Sequence, residues 1–203
     1  MPATELVIIR HGQTQWNLEA RSQGHEDSPL TEEGLEQAER VGRRLASMAI
    51  EELYSSDLGR AVGTAQAIAM HTELEIRTDI RLREQSFGIC EGLTVAERQQ
   101  RYPEAHAAWE SNDPNACIPK GESQRQRYDI VIGCLEELAM THMGQRIAVV
   151  THGGNMNAIM RRCMAVPLDA PRTFAVRNAC LNLFQIDGDR WELVTWGDAA
   201  HLG

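Results

Sequence analysis

The chain has 203 residues, 42% of them hydrophobic and 24% charged, proportions of an ordinary folded domain that leave no room for a disordered or collagen-like chain. Its formal net charge of −9 argues against a general affinity for nucleic acid or for an anionic membrane, both of which attract basic surfaces. An anionic ligand must therefore find a local basic pocket, and because Lys120 is the only lysine, arginine and histidine must build it.

The five cysteines are odd in number and form no C-x-x-C pair, which disfavours a disulfide framework or a zinc knuckle. The N-terminal MPATELVIIR shows no basic leader or cleavage site, and no apolar run approaches the ~18 residues of a membrane span. One domain over residues 1–203, located in the cytoplasm, is the expectation.

In chain order, Leu6–Ile9 reads as a first strand. Thr31 is a helix cap, and Leu35, Ala38, Val41, Leu45 and Met48 recur at spacings of three or four, predicting one buried stripe. Residues 52–54 form a short strand, Ser55-Ser56-Asp57 supplies cap material, and an alanine-rich helix runs to about Met70. Residues 74–77 are a further strand candidate. From Asp79 to Gly121 the pattern is least regular, with short helices over 94–101 and 104–111; this stretch reads as an insertion covering the site. Ser123 and Gln126 have capping-box spacing ahead of a helix with a stripe of Tyr128, Val131, Ile132, Leu135, Leu138 and Ala139, ending before Gly144. Ile147–Val150 is the clearest strand, a helix follows over 154–164, and the chain closes in a hairpin about Asp187-Gly188-Asp189. Short apolar strands alternating with amphipathic helices define an α/β domain.

Two of these strands end alike. Leu6–Ile9 is followed by Arg10, His11 and Gly12, and Ile147–Val150 by Thr151, His152, Gly153 and Gly154. Ligands of open α/β sheets bind at the carboxyl ends of the strands. A glycine after each histidine permits a sharp turn and a close approach, and the helix after His152 would aim free N–H groups at the same place. Either His-Gly taken singly is also consistent with a plain strand-ending turn. Arg60 lies in the first turn of its helix, where a cation opposes the helix dipole unless an anion stands between them. Asp57 or a bound phosphate could be that anion, and Arg10 beside His11 favours phosphate, which guanidinium groups match in geometry.

Five ordered blocks, RHGQTQWN (10–17), QGHEDSPLTEEG (23–34), SSDLGRAVGTA (55–65), LREQSFGICEG (82–92) and THGG (151–154), resemble the histidine phosphatase superfamily in its cofactor-dependent phosphoglycerate mutase-like branch. The resemblance implies a three-layer α/β/α sandwich around a mostly parallel sheet. It implies a phosphohistidine formed on His11, with Arg10, Arg60 and His152 around the phosphoryl oxygens and Asn17, Gln23, Gly24 and Gly153 completing the cradle. Neighbouring cations favour the neutral imidazole that a nucleophile requires, and guanidinium groups can balance charge that metal ions balance elsewhere, so no metal or cofactor is expected. Glu84 matches the acid that protonates the leaving alkoxide, with Glu91 the second candidate. The remaining histidines, His25, His71, His106, His142 and His201, form no metal-ligand pattern; the terminal His201-Leu202-Gly203 is the one such segment able to fold over the pocket. The tryptophans read as core or rim.

The resemblance weakens where glycolytic mutases grip a substrate carboxylate. Phe87 stands where their tyrosine is expected and Val95 where their lysine is, and the paired arginines of their longer insertion have no counterpart between Leu93 and Gly121. A phosphatase acting on a small phosphorylated metabolite is therefore expected, with specificity set by residues 85–121. A mutase and a non-catalytic phosphate-binding module are the alternatives. The resemblance also makes a homodimer an admissible assembly.

Overall fold

The computed structural model describes residues 2–203. Its sheet is built on β1 (Thr4–Arg10), whose Leu6, Val7, Ile8 and Ile9 are all fully buried, as a strand covered on both faces requires. It pairs in parallel with β4 (Arg146–Thr151) and antiparallel with β5 (Leu181–Asp187). With β2 (Glu52–Ser55), β3 (Ile76–Thr78) and β6 (Arg190–Asp198), the order is β3-β2-β4-β1-β5-β6. The first four strands are parallel, and the closing hairpin is antiparallel.

Helices cover both faces. Leu6, Ile8, Ile147 and Val149 point to α6 (Gln124–Thr141) and α7 (Gly153–Met164). Val7, Ile9, Ala148 and Val150 point the other way, to α2 (Glu32–Ala46) and α3 (Gly59–Thr72). This is the expected three-layer α/β/α sandwich. A short α1 (Gln15–Leu18) follows β1. The irregular stretch contains two 3₁₀ turns (Ile80–Leu82 and Gly88–Cys90), α4 (Val95–Arg101) and α5 (Pro103–Glu110). It has an apolar cluster of its own, with Cys90, Ala105 and Ile118 buried against Phe87, Ile89 and Trp109.

Sequence expectation and structure part in three places. Leu35 is 57% exposed, because the buried face of α2 runs through Gly34, Ala38, Val41, Gly42 and Leu45, with two glycines that a hydrophobicity count overlooks. The cap of α3 is Leu58, which makes no side-chain cap bond; Ser56 Oγ instead accepts from the Leu58 N–H. The strand expected over 74–77 lies at 76–78, a three-residue sheet edge too short for its pattern to set its bounds. The capping box expected at Ser123 forms, and the structure has a second one at Thr94, each cap hydroxyl accepting from the backbone N–H three residues on.

The buried face of α2 can be checked directly. Leu45→Ala is expected to cost about 2–5 kcal/mol of unfolding free energy, and Leu35→Gln less than about 0.5 kcal/mol, as read by urea denaturation; equal losses would contradict this orientation.

Candidate active site

The register of two strands assembles the site. Arg10 pairs with Thr151 across β1 and β4, so the next residues, His11 and His152, leave the sheet side by side. Their ring centroids lie 5.2 Å apart. From here the chain runs to α2 on one face after β1 and to α7 on the other after β4. That divergence is a topological switch point, where open α/β sheets bind ligands.

His11 is held from several sides. Its backbone N–H donates to Thr151 O (3.0 Å), its carbonyl accepts from Asn178 Nδ2 (2.9 Å), and the next N–H, of Gly12, donates to Thr64 Oγ1 (3.0 Å). Its ring Nδ1 lies 2.8 Å from Gly12 O. A carbonyl only accepts, so Nδ1 carries the proton and Nε2 keeps its lone pair. Burial, then the charges of Arg10 and Arg60, push the ring well below an ordinary histidine pKa, against a smaller opposing effect of the Gly12 bond. His152, fully buried as the cap residue of α7, is pushed the same way by burial and then by Arg60, His11 and Arg10. Among the described residues neither of its ring nitrogens has a hydrogen-bond partner.

Both arginines are fixed at some atoms and free at others. Arg10 Nη1 donates to Val176 O (2.6 Å). Arg60 donates to the carbonyls of Glu26 and Gly24, both at 2.8 Å, and to Asp27 Oδ1 at 2.9 Å. The Nε of each arginine is buried without a partner. Asp27 also receives the Arg60 backbone N–H, so it is the anion between this cation and its helix. Asp57 pairs with Arg83 instead. Asp27 lies 33 positions away in sequence, beyond the reach of a local pairing argument.

Glu84 comes from the irregular segment. One carboxylate oxygen accepts from the Gly154 N–H and the other from the Gln85 N–H, each at 2.8 Å. Asn155 Nδ2 bonds the carbonyls of Leu82 and Arg83 (2.9 and 2.8 Å), and His25 Nε2 donates to the Glu84 carbonyl (3.0 Å). A Cβ on Gly154 would lie 2.2 Å from Glu84 Oε1, so this glycine makes room for the acid. Neither Gly12 nor Gly153 has a positive φ, so neither glycine is needed for a left-handed backbone. At Gly12 the requirement is space: a Cβ there would meet Gly34 O at 2.5 Å.

Glu91, the second candidate acid, has a different position. Its oxygens accept from the N–H groups of His25, Glu26 and Phe87 and from Ser86 Oγ, at 3.1, 3.1, 2.8 and 3.1 Å. It ties the loop that props Arg60 to the loop that carries Glu84. Gly24 has φ +57°, and a Cβ on it would sit 2.2 Å from Glu91 Oε1.

Of the other expected cradle residues, Gln23 is buried with Oε1 unpartnered. Asn17 Oδ1 accepts from the Thr14 N–H and from Asn178 Nδ2, which binds it into the support beneath His11. Gly153 opens α7 next to the Arg10 guanidinium. The terminal turn packs on α2, where Arg40 binds Leu202 O, and His201 Nε2 donates to Ala179 O (2.9 Å); the C-terminus does not fold over the pocket. Asp27, Thr64, Asn155 and Asn178 were not singled out in the sequence, because each acts through a partner distant along the chain. Among the described residues no three His, Cys, Asp or Glu side chains converge to hold a metal ion, and no helix is long and apolar enough to cross a membrane.

Two imidazoles and two guanidiniums gather around one buried point, with a carboxyl on a separate loop beside them, an arrangement able to receive a tetrahedral oxyanion. The family model of the histidine phosphatase superfamily (branch 1) matches residues 6–199, and the chain belongs to that superfamily. Over 202 residues it is 41% identical to phosphoglycerate mutase-like protein 4 of Arabidopsis thaliana, covering 98% of this chain and 86% of the relative. It is 38% identical to the metal-independent phosphoserine phosphatase of the same plant, covering 98% and 83%. The structure of YhfR from Bacillus stearothermophilus superposes with a TM-score of 0.91 at 31% identity, covering 99% of this chain and all of that one.

The two rings tie stability to pH with a definite sign. Folded, they stay neutral below the ordinary histidine pKa of 6.5; unfolded, they take up protons there. The unfolded state thus binds more protons, and stability falls as pH drops below about 6.5, by up to roughly 1.4 kcal/mol per pH unit for each ring. Urea titrations between pH 7 and 5 should show this slope, reduced in His152→Asn; an unchanged slope in that variant would contradict the assignment.

Proposed function

We propose that the chain is a phosphomonoesterase that takes the phosphoryl group of a small phosphorylated metabolite onto His11 Nε2 and passes it to water. The carrying observation is the set of buried, unpartnered donors, Arg10 Nε, Arg60 Nε and the His152 ring, beside a histidine whose Nδ1 bond leaves Nε2 free to attack. A dianion placed among them would receive charge-assisted hydrogen bonds.

In the first step the Nε2 lone pair forms the N–P bond as the bond from phosphorus to the ester oxygen breaks. Arg10 and Arg60 balance charge on the transferring oxygens. His152, next to a bound dianion, donates a hydrogen bond, since opposite charge favours the protonated ring. Glu84 delivers a proton to the leaving alkoxide as general acid. In the second step the ionised Glu84 takes a proton from water, which attacks phosphorus and frees His11. Guanidinium charge fills the place that a metal ion holds in other phosphoryl-transfer sites, so the reaction is metal-independent. The net charge of −9 leaves this basic site as a local exception, suited to a small anion and not to nucleic acid or membrane. We place the enzyme in the cytoplasm.

A phosphoglycerate mutase is the second reading, favoured by the name of the 41% identical relative. Against it, Phe87 packs against Trp109 with the rings tilted and their centroids 4.4 Å apart, and Val95 is an exposed helix residue; neither supplies the polar grip expected of a mutase.

Brief incubation with ³²P-labelled phosphoester should leave acid-labile, base-stable label on the wild type and none on His11→Ala, with turnover unaffected by EDTA. Full activity in His11→Ala would reject the covalent route, and a large loss in EDTA would reject metal independence. Isomerisation of 3-phosphoglycerate without phosphate release would favour the mutase. Gly154→Ala, which displaces the Glu84 carboxyl, should lower kcat by roughly 10²-fold for esters with poor leaving groups; unchanged turnover of such esters would remove Glu84 from the role of acid.

A further inference from the structure

Beside the site lies a cavity of about 290 Å³. It includes Gly154, whose N–H holds Glu84, and Gln85, the next residue along the chain. One of its ends therefore borders the backbone that holds the Glu84 carboxyl, which gives it the position of a leaving-group pocket, at the small end of ligand cavities. Its wall is charged. Arg127 of α6, Arg161 of α7 and Arg172 of the coil after α7 face one carboxylate, Glu122.

The three arginines are not equivalent. Arg161 is a strut, with its guanidinium nitrogens on Asn157 Oδ1 and the carbonyls of Pro167 and Ala170. Arg172 is exposed and donates its Nε to Phe174 O (3.0 Å). Arg127 is only 3% exposed. Its Nη2 binds Arg81 O, and among the described residues its Nε has no partner; the carboxylates that act on it, Glu122 first, do so through charge and not through a hydrogen bond. Glu122, Glu84 and Asp79 act on this charge only from a distance and burial outweighs them, so an anion in direct contact with the guanidinium would offset a desolvation cost that the protein leaves in place.

Arg127 and Glu122 also line a second cavity, of about 570 Å³, on the outer side of α6. The other arginines there are already neutralised, Arg81 by Asp79 and Glu137 and Arg83 by Asp57. Only the inner cavity has positive charge in excess. Glu122, in the same wall, opposes a second dianion more strongly than a monoanion.

We propose that Arg127, supported by Arg172, forms a subsite for a carboxylate on the leaving group, so that the preferred substrate is a phosphorylated carboxylic acid and not a neutral phosphorylated alcohol. This rests on the phosphomonoesterase reading. It also adds specificity determinants on α6 and on the coil after α7 to the 85–121 segment, whose Gln85, Phe87, Trp109 and Ile118 line the same cavity.

Two ligands isolate the carboxylate, since 3-phosphoglycerate and glycerol 3-phosphate differ only in a carboxylate replacing a hydroxymethyl group. Calorimetry on His11→Ala, which cannot turn either over by the proposed route, should show 3-phosphoglycerate binding roughly 10-fold or more tightly, the scale of one charge-assisted hydrogen bond. Adding Arg127→Gln should abolish most of that preference while leaving glycerol 3-phosphate affinity unchanged. Adding Arg172→Gln, on an exposed coil where folding is not at risk, should reduce the preference by a smaller factor. Equal affinity for the two ligands in the parent, or a preference that survives both arginine substitutions, overturns the subsite. Failure of the wild type to release phosphate from p-nitrophenyl phosphate would instead count against the proposed activity, because the binding comparison does not depend on turnover.

Discussion

The site depends first on one backbone pairing, that of Arg10 with Thr151 in the parallel register of β1 and β4. A shift by one residue would turn every side chain of β1 to the opposite face. It would exchange Leu6 and Ile8, which pack under α6 and α7, with Val7 and Ile9, which pack under α2 and α3. The apolar core therefore enforces the register, and the register sets two histidines, 141 positions apart in sequence, with ring centroids 5.2 Å apart. In this way the same burial that stabilises the sheet places the functional groups at its edge.

Burial then sets their chemistry. An acidic chain has concentrated Arg10, Arg60, His11 and His152 at one point, three of them at most 3% exposed and Arg10 partly so. Desolvation and the neighbouring guanidinium charges favour neutral rings at both histidines. A neutral His11 has a lone pair to give. The remaining cost, unpartnered donors in the interior, is what a tetrahedral anion would relieve. Around this centre a layer of fixed hydrogen bonds holds the parts still: Asp27 and two carbonyls on Arg60, Asn178 and Thr64 on the His11 turn, and Asn155 and Gly154 on the Glu84 loop. Glu91 joins two of these loops with a single carboxylate.

Much of this was legible in the sequence, and what was not has a common cause. A strand followed by His-Gly, repeated, marks a sheet edge by local pattern alone, and the capping box at Ser123 follows from residues three apart. Leu35 was misplaced because glycines shape the buried face of α2, and hydrophobicity does not register them. The partner of Arg60 was missed because Asp27 meets it only in the fold. The bonds of Glu91 show a clamp, whereas its sequence neighbourhood allowed an acid. Arg127 carried no signal at all, since a buried, unpaired guanidinium looks in sequence like any other arginine of a helix.

The central physical claim is that the fold keeps His11 neutral, with its proton on Nδ1 and its lone pair on Nε2. The most direct measurement is ¹⁵N NMR of the imidazole nitrogens through a titration from pH 8 to 5. The expected result is a His11 ring that stays in the Nδ1–H tautomer at pH 6 while an exposed histidine titrates near 6.5. A His11 ring that is imidazolium at pH 6, or that carries its proton on Nε2 when neutral, would contradict the account.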